Sequence, residues 1–201
     1  MAIIVMVYGQ SGTGKSTSLR NFNPEDVCIV NVSGKPLPFR NKHKTFNTDD
    51  YVSVMAAIQK APAKSIVIDD ATYLMTDEYM RTAKVSGYQK FMDLAWNFFT
   101  LVKTASALPD DKIVYFMGHS EMDNNGNEKF KTIGKMLDEK ITLEGMFTIV
   151  LKTVVADGRY MFSTRNNGQD TVKTPMGLFD EPLIDNDLAA VDKAIREYYE
   201  L

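Results

Sequence analysis

The stretch Gly9-Gln10-Ser11-Gly12-Thr13-Gly14-Lys15-Ser16-Thr17 lies directly after the apolar run Ile3–Tyr8 and overlaps a predicted helix start at Lys15–Asn21. It satisfies the pattern G-x-x-x-x-G-K-[ST], which has its physical meaning between a strand and a helix. The glycines let successive backbone N–H groups face phosphate oxygens, and the helix adds the positive end of its dipole. The stretch therefore predicts a loop, Gly9 to Thr17, that binds the phosphates of a nucleotide.

Three side chains of this loop have predicted roles. Lys15 should reach the β- and γ-phosphates, Ser16 should give its hydroxyl to Mg²⁺, and Thr17 should contact the α-phosphate. Gly12 and Gly14 are the positions at which we expect a side chain to be tolerated least. The expected ligand is ATP with Mg²⁺.

Two adjacent carboxylates follow the apolar run Ser65–Ile68. Ligands of open α/β sheets bind at the carboxyl ends of the strands, so Asp69 should lie beside the phosphate loop. We assign Asp69 to Mg²⁺, acting through water. Asp70 has two open interpretations: it polarises the attacking water, or it caps the helix that starts at Ala71-Thr72-Tyr73.

Polar residues also follow the predicted strand Ile113–Met117, in the order Gly118-His119-Ser120-Glu121. His119 is a candidate sensor of the γ-phosphate, and a loop histidine held by local hydrogen bonds is the alternative. Glu121 competes with Asp70 as the group that activates water.

Short β-branched runs alternate with helical periodicity, which predicts a mostly parallel sheet flanked by crossover helices. The C-terminal third differs, because Ala156-Asp157-Gly158 between two apolar runs indicates a hairpin and hence antiparallel strands. At 201 residues the chain is expected to form one α/β domain, 1–201. The other predicted elements are strand Val27–Val32, hairpin strands Phe147–Val155 and Arg159–Thr164, and helices Asp49–Lys60, Tyr88–Ala107, Gly134–Glu144 and Asp187–Tyr199.

Composition excludes several kinds of protein and of binding site. The net charge of -3 argues against a protein whose whole surface is basic and binds nucleic acid. Any contact with nucleic acid must therefore involve a local basic patch. The one cysteine, Cys28, excludes an intrachain disulfide and a multi-cysteine metal site. The N-terminal apolar run has only a strand's length and no basic flank, so we expect no membrane span and a cytoplasmic location.

Two local basic clusters are candidates for contact with single-stranded DNA. Gly34–Lys44 contains Lys35, Arg40, Lys42 and Lys44, and its Phe39 could stack on a base or pack into the core. The second cluster is Lys129, Lys131 and Lys135, after the polar turn Met122–Asn127. A solvated surface loop is the alternative interpretation of both clusters.

The sequence resembles the phage-encoded RecA-like ATPases, a P-loop NTPase group often given an AAA-type label that includes single-strand-annealing recombination proteins. The resemblance covers nearly the whole chain. It rests on Gly9–Thr17, Ile66–Asp69, Gly118–Glu121, Ala156–Thr164 and Lys173–Gly177.

The resemblance implies a minimal RecA-like core that binds ATP and acts on single-stranded DNA in phage recombination, inside the host cytoplasm. It also implies a homo-oligomer with ATP at the subunit interface, or action beside a single-strand-binding protein. A neighbouring subunit would then supply a basic finger, for which Lys173 is the first candidate, followed by Arg165 and Arg159. The sequence departs from RecA after the second strand, because Asn31-Val-Ser-Gly34 holds no glutamate.

Two other functions remain open. A small-molecule or nucleoside kinase shares the phosphate loop but adds an arginine-rich lid, and Met75–Lys90 has only Arg81. A nucleotide-dependent assembly module with little hydrolysis is the second, since the usual water-activating glutamate is missing. The sequence favours an ATPase over both.

Overall fold

A nine-stranded sheet forms the centre of the chain in the computed structural model, which describes residues 1–201. The strands are β1 (Ile3–Gly9), β2 (Val27–Asn31), β3 (Thr45–Asn47), β4 (Ser65–Asp69), β5 (Ile113–Met122), β6 (Glu128–Phe130), β7 (Ile149–Ala156), β8 (Arg159–Ser163) and β9 (Leu183–Asp185). The order β3-β2-β4-β5-β1-β7 is parallel throughout. β8 and β9 extend it as antiparallel strands, and β6 pairs antiparallel with β5. The predicted mixed sheet is confirmed.

Four α-helices cover the two faces of this sheet. They are α1 (Tyr51–Lys60), α2 (Thr72–Arg81), α3 (Gln89–Ser106) and α4 (Leu188–Tyr199). Asp50 caps α1 by accepting a hydrogen bond from the Ser53 amide, and Asp187 caps α4 in the same way. No helix has both the length and the apolar character needed to cross a membrane.

Alternation along the strands creates two separate apolar layers. Ile4, Met6 and Tyr8 of β1 face the layer that contains the buried sides of α1, α2 and α3. Ile3, Val5 and Val7 face the opposite layer, which contains the buried side of α4. Both faces of β1 are therefore covered, as the unbroken apolar run predicted for a parallel strand.

The segment after the phosphate loop differs from the prediction in helix type. The helix start predicted at Lys15–Asn21 is a six-residue 3₁₀-helix, Ser16–Asn21, and no α-helix continues from it. Phe22 turns the chain into an extended conformation and is buried, and Pro24 has no N–H with which to continue a helix. The helix dipole expected beneath the phosphates is therefore small.

The predicted helix Gly134–Glu144 is also wrong. It is replaced by a π-helical turn, Met136–Ile141, and a 3₁₀ turn, Leu143–Met146. Thr142 lies between them with a φ of 55°, a left-handed conformation that ends the first turn.

β5 is longer than predicted and continues through Met122. Ser120, Glu121 and Met122 pair with β6, so the polar residues Asp123–Asn127 form the turn of a hairpin. The Asp123 carboxylate accepts hydrogen bonds from the amides of Asn125 and Asn127 and orders this turn.

The strand order determines which residues meet at the carboxyl edge. β5 lies between β1 and β4, and His119 is opposite Gly9 in the β1–β5 register. The phosphate loop after β1 and Asp69 at the end of β4 therefore flank His119.

Candidate nucleotide site

The glycine loop adopts the backbone conformations that its sequence suggested. Gly12 and Gly14 have φ values of 80° and 93°, a region in which side chains are strained. A Cβ at Gly14 would also lie 2.9 Å from Cδ1 of Tyr160, whereas one at Gly12 would meet nothing within 4 Å. Crowding thus adds to strain at Gly14 only.

The loop residues divide between an outer and an inner surface. The inner surface holds the buried Gly9 and a hydrogen bond of 2.6 Å between the hydroxyls of Thr13 and Thr153. Gln10 presents its carbonyl there, to Lys15 and Thr13. The outer surface lines a cleft of about 370 Å³ and is formed by Ser11, Gly12, Gly14, Lys15, Ser16 and Thr17.

Lys15, the one charged residue of the loop, is buried, with a relative exposure of 6%. Its Nζ donates hydrogen bonds of 2.8 Å to the carbonyl oxygens of Gly9 and Gln10. Burial lowers the pKa of the Lys15 ammonium, and the carboxylates of Asp70 and Asp69 oppose that shift. The loop therefore holds a cation beneath its own backbone, facing the cleft.

Ser16 and Asp69 meet as the metal assignment requires. The Ser16 hydroxyl donates a hydrogen bond of 3.0 Å to Oδ1 of Asp69, whose residue is 4% exposed. Burial raises the pKa of Asp69 to about 6, and the neighbouring Asp70 adds to the shift. A hydroxyl and a buried carboxylate at hydrogen-bond distance are the two protein oxygens that a magnesium nucleotide uses in this class of loop.

Asp70 does not act as a helix cap. α2 has no side-chain cap, and only the backbone carbonyl of Asp70 accepts a hydrogen bond, from the Tyr73 amide. The residue has a φ of 60°, a left-handed conformation that aspartate tolerates better than most residues. Its Oδ1 lies 3.7 Å from Nε2 of His119, so the carboxylate faces the cleft.

His119 lines the same cleft, with its ring edge on Tyr73 at a centroid distance of 5.6 Å. Burial lowers the pKa of the His119 imidazole, and the charge of Lys15 lowers it further, while Asp70 opposes the shift. Both effects favour the neutral form of the imidazole.

Four residues of the cleft were not predicted as part of it. They are Tyr73 of α2, Tyr160 of β8, and Lys35 and Pro38, which belong to the segment Gly34–Lys44 that was considered for DNA contact. Tyr160 reaches Gly14 because β7 carries the hairpin next to β1. The position of Lys35 four residues beyond β2 was the one available signal, because β2 and β4 end together.

The structure does not bring the remaining candidates into the cleft. Glu121 accepts a hydrogen bond of 3.3 Å from the Thr132 amide and lies 3.9 Å from Nζ of Lys129. Arg159 forms an exposed ion pair with Asp185 at 3.2 Å, and Arg165 donates to the Asp180 carbonyl. Lys173 is exposed, and its backbone pairs with Val150 near the start of β7.

The basic clusters differ from each other in charge balance. Phe39 packs against the core layer of α4 and contacts His43 edge-on at 5.8 Å, so the expectation that it stacks on a base is not supported. Arg40 and Lys42 line a cleft of about 380 Å³ together with Arg20, and none of the three forms an ion pair. In the second cluster, Lys129 and Lys135 are paired with acidic side chains, including Asp138 and Glu139.

A further cleft, of about 740 Å³, is at the amino ends of β2 and β4, opposite the phosphate loop. Beneath it the Asp192 carboxylate accepts hydrogen bonds from Ser65, Tyr115 and Arg196. Arg196 also donates a hydrogen bond to the Ser65 hydroxyl, so the groups of this network are partners of one another. This network attaches α4 to the sheet.

The sequence matches the family model of the AAA domain over residues 1–175. That range includes the glycine loop, Asp69, Asp70, His119 and Lys173, and it ends before α4. No curated protein matches the chain.

Proposed function

The chain belongs to the AAA domain family of P-loop nucleotide-binding ATPases, and we propose that it hydrolyses ATP with Mg²⁺. One observation carries the proposal. The Ser16 hydroxyl and the buried Asp69 carboxylate meet at 3.0 Å beside the buried Lys15 ammonium, under a loop of positive-φ glycines. This combination suits a triphosphate with a divalent cation better than any other ligand.

In the proposed reaction, water attacks the γ-phosphorus and the bond to the β–γ bridging oxygen breaks, giving ADP and phosphate. Lys15 neutralises charge on the β- and γ-phosphates, and Asp70 with neutral His119 is placed to orient the water and take its proton. Ser16 and Asp69 hold Mg²⁺, which supplies further charge neutralisation on the phosphates.

The arrangement also supports slow turnover, as in a nucleotide-dependent assembly module. Asn31, at the end of β2, stands next to Asp69 in the β2–β4 register and offers an amide and not a carboxylate. Glu121 is held by Thr132 on the far side of the β5–β6 hairpin. Water activation then depends on Asp70 and His119 alone.

The surface around Arg20, Arg40 and Lys42, named here the basic groove, is the proposed contact for single-stranded DNA. Three cations without carboxylate partners attract a phosphate backbone, and the contact is lost as salt rises. We propose that the chain acts there in phage recombination or strand annealing, in the host cytoplasm, with a single-strand-binding protein as a partner.

Assembly of copies is the second part of this proposal. Lys173 is exposed on the surface of its own chain. An exposed lysine outside its own cleft suits a finger that enters the cleft of a neighbouring copy in a homo-oligomer. Arg159 and Arg165 are engaged within the chain and suit this role less well.

A kinase is less well supported. The one arginine of Met75–Lys90, Arg81, is paired with Asp49 and donates to the Asp49 carbonyl as well. The lid of a kinase would bring arginine over the phosphates, whereas Arg81 is engaged with Asp49 of its own chain.

ADP release from Mg²⁺-ATP, with and without single-stranded DNA, tests the proposal. The double variant Arg40→Ala/Lys42→Ala should keep the basal rate and lose DNA stimulation. Its salt slope for DNA binding should fall by about 0.7 per charge removed. The control Lys60→Ala/Lys103→Ala removes two exposed charges elsewhere and should change neither quantity. ADP formation that requires a phosphate acceptor would instead identify a kinase.

A further inference from the structure

We infer that Lys35 contacts the terminal phosphate of the bound nucleotide, supplied by the same chain as the phosphate loop. The inference rests on the proposed function of the cleft. It concerns a lysine that the sequence analysis assigned to a candidate DNA-binding segment and not to the nucleotide site. Lys35 lines the cleft together with Lys15, Ser16 and Asp70.

The sheet register brings Lys35 to this position. Asn31 ends β2 directly beside Asp69, the last residue of β4. The segment that follows β2 therefore starts beside the Asp69 carboxylate and reaches Lys35 four residues later. In the P-loop arrangement the γ-phosphate lies near that carboxylate, so Lys35 approaches the terminal phosphate and not the nucleoside.

A buried amide holds the turn that carries Lys35. Asn31 is 3% exposed, and its Nδ2 donates a hydrogen bond of 2.7 Å to the Lys35 carbonyl. Its Oδ1 accepts hydrogen bonds from the Gly34 amide at 3.0 Å and from the Ser33 hydroxyl at 3.3 Å. Gly34 has a φ of 66°, which completes the turn. The lysine thus projects from a backbone that is fixed before any ligand binds.

The side chain of Lys35 has no carboxylate partner in the structure. Its Nζ lies 5.2 Å from the centroid of the Tyr73 ring, and the same ring contacts His119. An exposed cation on an aromatic face gains only about 0.5–1 kcal/mol. A charge-assisted hydrogen bond to phosphate is stronger, so the lysine exchanges the ring for the phosphate at little cost.

This contact would make the cleft sensitive to the number of phosphates. ATP engages both Lys15 and Lys35, whereas ADP leaves Lys35 on the Tyr73 ring.

The test compares dissociation constants of the slowly hydrolysed analogue ATPγS and of ADP, both with Mg²⁺. Lys35→Ala should weaken ATPγS binding about tenfold and change ADP binding less than about twofold. Lys35→Arg should restore most of the ATPγS affinity, because the charge is retained. The matched control is Lys60→Ala, an exposed lysine at the end of α1, which should change neither constant.

Two results would overturn the inference. One is an equal loss of ATPγS and ADP affinity in Lys35→Ala, and the other is no loss of either. Lys15→Ala distinguishes this inference from the proposed function, because it should weaken the binding of both ATPγS and ADP. If the unmodified chain binds neither nucleotide, the proposed function itself is wrong and this inference falls with it.

Discussion

Asp69 pairs with Ser16 in a buried position, where an ionised carboxylate is costly without a cation. Burial raises its pKa to about 6, from an ordinary value of 3.8. In the metal-free protein the folded state therefore holds a proton that the unfolded state releases. This contribution to stability is fully present below pH 3.8 and is lost as the pH rises through 6.

We therefore expect the free energy of unfolding of the wild type to fall relative to Asp69→Asn between pH 4 and pH 7, without Mg²⁺. The shift corresponds to about 3 kcal/mol. Urea unfolding at several pH values in EDTA measures it, and the asparagine variant cannot titrate at this position. Parallel stability curves for the two proteins would show that Asp69 does not titrate in this range.

Gly12 and Gly14 share a left-handed backbone but differ in their surroundings. Gly12→Ala should cost about 1–2 kcal/mol of unfolding free energy from strain alone. Gly14→Ala should cost at least about 1 kcal/mol more, since the new methyl group meets Tyr160 and the buried Asn186. Urea midpoints of the two variants measure the difference, and equal losses would contradict the packing around Gly14.

At the scale of elements, local patterns were reliable where one rule decided the outcome. The apolar runs of β1 and β4 were evident in the sequence. The end of β5 was not evident, because pairing with β6 continues the strand beyond Met117. A strand advances about 3.3 Å per residue, so this extension carries Glu121 away from the cleft. The helix after the phosphate loop remains a short 3₁₀-helix, because the buried Phe22 turns the chain into an extended conformation.

α4 offers a prediction at the same scale, because one carboxylate holds it to the sheet. Asp192→Ala should cost about 3–5 kcal/mol of unfolding free energy, since it leaves Arg196, Tyr115 and Ser65 without their shared partner. The control on the same helix is Lys193→Ala, whose exposed pair with Glu197 at 3.7 Å should contribute about 0.5 kcal/mol or less. Equal losses in urea unfolding would show that the network does not hold the helix.

At the scale of the whole molecule, one sheet connects two apolar layers. Strand residues alternate between the layer of α1, α2 and α3 and the layer of α4. Each layer therefore packs on the same strands as the other, and loss of one layer exposes one face of strands on which the other layer depends. We therefore expect residues 1–201 to unfold as one domain in a single transition. Far-UV and near-UV circular dichroism should give the same urea midpoint. Different midpoints would show that the chain does not unfold in a single transition.

The cleft as a whole could be predicted only in part. Lys15, Ser16 and Asp69 follow from short patterns whose meaning depends on a strand and the loop beside it. Tyr160 and Lys35 come from segments far apart in the chain, and they meet the cleft only through strand order and register. No local pattern of residue types carries that information.

Calorimetric titration of Mg²⁺-ATP into the wild-type chain and into Lys15→Ala tests whether this cleft binds a nucleotide through the phosphate loop. The variant should fold normally and lose about 10–100-fold in affinity, because it removes the ammonium group that serves the β- and γ-phosphates. Lys60→Ala should bind like the wild type. Equal affinity of Lys15→Ala and the wild type for Mg²⁺-ATP would contradict the assignment of the site.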